Sequence, residues 1–141
     1  VIDSFRGEYG FLSNFAWCKI KYKGVIYKTV EHAYQAAKTL DKKRKQLISE
    51  APTPGAAKRW GRNVEIREDW EEIKLDIMLA LVRQKFTIPE LKKKLLATGK
   101  EKLIEGNWWG DTFWGVCKDE GENHLGRILM RVREELKRKE G

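Results

Sequence analysis

Between Asp69 and Phe86 the apolar residues Trp70, Ile73, Ile77, Met78, Leu81, Val82 and Phe86 recur close to every 3.6 positions. That period predicts an amphipathic helix starting at or near Asp69. A second such run, Leu125, Ile128, Leu129, Val132 and Leu136, predicts a final helix with Asn123 as its cap. Thr29 is placed to cap a helix reaching about Leu40, and a short basic helix should follow to about Glu50. Thr53-Pro54 reads as cap and first helical position, with Gly61 as the stop. Ile88-Pro89 restarts a short helix that ends at Gly99. Alternation in Cys18–Tyr22 and Val25–Tyr27 around Lys23-Gly24 predicts a hairpin. Lys102–Glu105 and Thr112–Trp114 read as short strands. The expected fold is α+β, a single compact helix-rich domain over residues 1–141 with a few short strands.

The 141 residues suffice for a full core, and 41% hydrophobic with 35% charged residues describes a soluble globular chain. No stretch approaches the roughly 20 apolar residues of a membrane span, so no membrane partner is expected. No signal-peptide pattern is visible. Cys18 and Cys117 form no CxxC pair and only two histidines are present. The expectation is a reduced, cytoplasmic protein with no metal site and no cofactor. The net charge is +8, concentrated in Lys42–Lys45, Lys92–Lys94 and Lys137–Lys139. It fits solvated helix faces, or a field that attracts phosphate on a nucleotide or nucleic acid.

Two segments carry candidate chemistry. Phe5–Phe15 contains two glycines, a Ser13-Asn14 pair and four aromatics, including Phe11 beside Gly10. It reads as a loop in which amides and flat rings could enclose a planar polar molecule. Ser13 and Asn14 could bond a base or ribose, or cap a turn. In the predicted helix after Thr29, Glu31, Gln35 and Lys38 are spaced i, i+4, i+7 and share one face. A carboxylate, an amide and an amine so placed suit proton transfer and imine chemistry. Glu31 alone would be an ordinary first-turn carboxylate, and Lys38 alone a surface lysine. A third segment, Asn107–Gly115, packs three Trp and one Phe around Asp111 and two glycines. It is either core packing or a loop that stacks on a flat ring. Asn123 with Gly126 is either an ordinary cap or a helix start that could hold phosphate. His32 and His124 read as structural or orienting.

Gly10–Phe15 followed by Val30–Lys38 resembles the NADAR family of YbiA-like N-glycosidases. Blocks at Ala56–Lys58 with Gly61-Arg62, Asp69-Trp70, Leu95–Gly99, Asp111 with Trp114-Gly115, and Gly121–Met130 agree in order. The resemblance spans nearly the whole chain, although Val116–Glu120 intervenes where the family usually continues in glycines. It implies that Glu31 and Asp111 are catalytic, that Trp114 lines the site, and that Trp70 stacks on the substrate base. Within it, Glu31 would be a general acid or base with a pKa raised by burial. Lys38 would be a nucleophilic amine able to form a Schiff base with ring-opened sugar, given a pKa lowered by burial or by cations such as Lys58, Arg59 or Arg62.

The implied activity is hydrolysis of a bond between ribose C1 and an exocyclic amine of a heterocycle. The substrate would be a ribosylamino-pyrimidine phosphate of riboflavin synthesis, or ADP-ribosyl-guanine in nucleic acid. Gly10, Phe11, Ser13, Asn14, Gln35, Trp70, Trp114 and Asn123 would then contact it. The alternative is a module that binds ADP-ribose or a nucleobase without cleaving it.

Overall fold

The structure, a computed structural model, describes residues 1–140. It is α+β: six α-helices, a short 3-10 helix and one two-stranded antiparallel hairpin among the described residues. Its chain divides into two compact units, one from Asn14–Lys85 and one from Val1–Ser13 together with the chain from Phe86 onward. No helix among the described residues is long and apolar enough to cross a membrane.

In the Asn14–Lys85 unit, β1 (Ile20–Tyr22) pairs with β2 (Val25–Tyr27) in the register Ile20 to Tyr27. Lys23 and Gly24 turn between them with φ of 51° and 82°. The hairpin's edge is closed by a side chain. Gln84 accepts from Lys21 N at 2.6 Å and donates to Lys21 O at 2.7 Å, as a neighbouring strand would. Helices α1 (Val30–Ala37), α2 (Lys42–Ser49), α3 (Pro54–Gly61) and α4 (Trp70–Lys85) complete the unit. Thr29 caps α1 by accepting from His32 N at 3.0 Å, and Thr53 caps α3 by accepting from Ala56 N at 3.0 Å. Asp41 does the same for α2. Every residue of α1 is buried, and α2, α3, α4 and both strands pack on it. Ala33, Ala36 and Ala37, with no exposed surface, are small enough to let those neighbours approach. Helix α1 stops at Ala37 with Lys38 as its C-cap, short of the Leu40 expected, because Thr39 Oγ1 turns back to accept from Asp41 N.

The other unit contains the 3-10 helix (Gly7–Leu12), α5 (Pro89–Ala97), α6 (His124–Glu140) and the chain between the two helices. The Phe5–Phe15 segment is therefore not wholly loop. Tyr9 N bonds Arg6 O and Ser13 N bonds Gly10 O, the three-residue spacing of a tight helix. The strands expected at Lys102–Glu105 and Thr112–Trp114 do not form. Leu103 makes a single bridge to Ile2, Glu105 O accepts from Val116 N, and Leu103 O and Glu105 N are held by the Asn123 side chain. Its amide donates to Leu103 O and accepts from Glu105 N, both at 3.0 Å, replacing a partner strand. Gly126 makes room for it: a Cβ there would lie 2.4 Å from Asn123 Nδ2. In Thr112–Trp114 the Phe113 and Trp114 amides are taken locally by Asp111.

Candidate functional site

Helix α1 brings Glu31 and Gln35 together as their spacing predicts. Gln35 Nε2 donates to Glu31 Oε2 at 2.5 Å, in a setting where Glu31 is 8% and Gln35 3% exposed. The opposite end of that amide, Gln35 Oε1, is buried with no hydrogen-bond partner. The Glu31 amide is anchored separately, donating to Asn14 O at 3.1 Å. Asn14 Nδ2 lies 3.5 Å from Met78 Sδ.

Lys38 closes the helix, half-buried. Its pKa is lowered from 10.5, chiefly by burial. The Glu31 charge opposes that shift, while Lys58, Arg62 and Lys74 reinforce it. Two of the three neighbours expected from sequence are thus present electrostatically. Lys74, from the exposed-looking side of α4, takes the place of Arg59. The ammonium also lies 5.7 Å from the Tyr34 ring centroid, and Tyr34 packs on Trp70 with centroids 5.2 Å apart. Both rings are buried. Tyr34 was not singled out by sequence, although its i, i+4 relation to Lys38 was available.

Beyond Lys38 the chain runs into an open groove of about 740 Å³. Its walls carry Arg44 and Arg67, but also Asp41, Glu65, Glu68 and Asp69, so it is not a uniformly positive cleft. Arg67 is further tied to Asp69 at 2.7 Å.

His32, fully buried, is oriented rather than reactive. Its Nε2 faces Ala51 O at 3.0 Å and its Nδ1 faces Thr29 Oγ1 at 2.7 Å. A carbonyl can only accept, so Nε2 carries the proton. Burial lowers its pKa, with the bond to Ala51 O opposing, which disfavours the charged ring.

The remaining expected residues lie in the other unit. Asp111 Oδ1 accepts from Phe113 N at 3.1 Å and Trp114 N at 2.9 Å. Asn107 clasps the same turn, donating to Asp111 O at 2.9 Å and accepting from Asp111 N at 3.0 Å. Trp114 meets Phe113 edge-on at 4.8 Å, and Phe113 packs on the His124 ring at 4.5 Å. Trp108 and Trp109 are exposed, and the Arg6 guanidinium sits 3.8 Å over the Trp108 ring. Gly10, Phe11 and Ser13 are half-buried in or beside the 3-10 helix, with Phe11 edge-on to Phe86 at 6.5 Å. Asn123 is buried, and both ends of its amide are committed to the Leu103–Glu105 chain.

Comparison with known proteins gives the chain relatives. A family model described as NADAR domain matches residues 4–137. "N-glycosidase YbiA" of Shigella boydii is 41% identical over 133 residues, taking in 92% of this chain and 82% of that protein. "Riboflavin biosynthesis protein VVA0006" of Vibrio vulnificus is also 41% identical, over 92% of this chain but 36% of its own length. The NMR structure of the E. coli protein YbiA has a TM-score of 0.87 at 37% identity, covering 99% of this chain and 87% of that one.

Proposed function

The chain belongs to the NADAR family, and on that footing it is a hydrolase of N-glycosyl bonds; we propose that the bond it cleaves joins ribose C1 to an exocyclic amine of a heterocycle. The observation that carries this reading is the α1 face. A buried carboxylate fixed by an amide shares one short helix with a half-buried amine whose pKa is depressed. A pure binding site has no need of that depressed amine.

In the proposed reaction protonated Glu31 gives its proton to the ring oxygen, which leaves as a hydroxyl while the glycosylamine opens to an iminium at C1. Neutral Lys38 attacks C1, and the Glu31 carboxylate takes the proton that the lysine nitrogen sheds, to give a diamine at that carbon. Glu31 protonates the heterocyclic nitrogen, which departs as the free amine and leaves C1 double-bonded to Lys38 nitrogen. Water then adds to C1, and its addition is helped by the Glu31 carboxylate now lacking its proton. Collapse returns the sugar aldehyde and the lysine amine. Trp70 and Tyr34 supply the flat wall beside Lys38. We retain Asp111 as the second carboxylate and Trp114 as a ring contact on the resemblance of their loop.

Two substrate classes fit. The name of the Vibrio relative favours a ribosylamino-pyrimidine phosphate. The +8 charge favours ADP-ribosyl-guanine in nucleic acid. Incubating the protein with each and separating the products tests both. Release of free sugar phosphate identifies the first, and release of ADP-ribose with intact guanine the second. Affinity for a nucleic-acid substrate should fall steeply with salt, and for a small phosphate ester shallowly. Binding of either without release of sugar would overturn the hydrolase reading for this chain.

A further inference from the structure

Helix α3 ends on Gly61, whose Cα lies against the Gln35 side chain. A Cβ built there would stand 2.0 Å from Gln35 Oε1, 2.8 Å from its Cδ and 3.0 Å from its Cβ. Atoms do not approach so closely, so any other residue at position 61 must displace Gln35. The amide cannot yield by swinging into water, because Gln35 is 3% exposed and its nitrogen end is held by Glu31. Nor can it turn over while Glu31 is ionised, since that would set a carbonyl oxygen against a carboxylate that only accepts. The unpartnered Oε1 marks the same constraint. The buried carbonyl forgoes a hydrogen bond while the other end of the amide makes one to a charged group, the stronger kind.

We propose that Gly61 is a positioning residue for Glu31: carrying no side chain, it leaves the space in which the Gln35 amide donates to Glu31 Oε2. The inference rests on the reading of Glu31 as the proton-transfer group and adds a residue on a different helix that sets its ionisation. A donor aimed at the carboxylate favours its charged form, so losing it moves Glu31 toward the protonated form. The other charges at this corner are Lys38 on α1, Lys58 on α3, Arg62 just after it and Lys74 on α4, and none is altered by a change at Gly61.

The test compares Gly61→Ala, Gln35→Ala and the double variant. Two readouts are taken: titration of the Glu31 side-chain carboxyl by carbon NMR, assigned with Glu31→Gln, and the pH profile of turnover. Gly61→Ala should move the Glu31 midpoint upward about as far as Gln35→Ala does, and the matching limb of the profile should follow. The double variant should move it no further, because the amide that the new methyl strikes is gone. Only the 3.0 Å approach to the residue 35 Cβ then remains, which a few tenths of an ångström relieves. Should Gly61→Ala fail to fold, the double variant should recover the fold. A double variant equally unfolded, or a folded Gly61→Ala with the wild-type midpoint, overturns the proposal. The underlying reading fails separately: a moved midpoint together with a fully active Glu31→Gln protein supports Gly61 as positioning Glu31 but removes Glu31 from the chemistry.

Discussion

At Glu31 a carboxylate and an amide meet inside a helix that has no exposed residue, so the carboxylate faces protein groups rather than bulk water. Replacing it by glutamine keeps the shape and lets residue 31 still offer an oxygen to Gln35 Nε2. Glu31→Gln should therefore melt near the wild-type temperature while turnover falls on the order of 10²- to 10⁴-fold. Equal turnover in a folded variant would remove Glu31 from the mechanism. Lys38 is tested by its pH response. Its neutral fraction grows as pH rises toward a pKa held below 10.5 by burial and by Lys58, Arg62 and Lys74. The limb of the turnover profile set by Lys38 should rise with pH and level off at a lower pH than an ordinary lysine would allow. Borohydride added during turnover should fix the sugar mass on Lys38, and Lys38→Arg should be inactive. No adduct together with an active Lys38→Arg enzyme would leave direct attack by water. Asp111 needs two variants, because one of its oxygens holds a turn. Asp111→Asn keeps an acceptor for Phe113 N and Trp114 N, so it should retain the melting temperature and lose activity. Asp111→Ala should lose both. An active Asp111→Asn would leave the residue as a turn former.

Among the elements, caps are the most legible feature, because they depend on neighbours in sequence. Thr29 and Thr53 were placed by residue type alone, and each accepts the expected amide. Thr29→Ala should cost about 1 kcal/mol for the cap. It should cost more if the His32 Nδ1 contact at 2.7 Å is also counted, which denaturant unfolding would measure. A loss within error of zero would mean water replaces the hydroxyl. The α4 period was legible for the same local reason. What could not be read were elements made by long-range side chains. Asn123 stands in for a strand 18 and 20 residues away, and Gln84 closes a hairpin edge 63 residues away. The i, i+4, i+7 face of α1 was visible. Its complete burial was not, since Glu and Gln are residue types mostly found exposed and nothing local in the sequence marks the elements that cover the helix.

For the whole molecule, stability should carry the signature of Lys85, a side chain 1% exposed at the end of α4. Burial lowers its pKa from 10.5 to about 8, with the Cys18 thiol opposing slightly. Below about 8 both folded and unfolded chains hold the proton, so the cost of burying the charge is complete. Between about 8 and 10.5 the unfolded chain binds more protons, and stability rises with pH by about 3 kcal/mol. Above that range both are neutral. Lys85→Met should remove this contribution and leave only the part of the rise that Lys38 and Lys45 supply, as followed by urea unfolding at stepped pH. A wild-type protein with a flat profile there would mean the buried amine is held charged by its surroundings. The burial of α1 has a consequence of another kind, for anyone who would retarget this protein. Two of the groups we assign to catalysis, Glu31 and Lys38, sit in, or directly after, the same helix that five other elements pack against, so a randomised library across positions 30–37 would return mostly insoluble clones. New substrate scope would have to be sought by varying chain segments that border the helix, with the helix itself held constant.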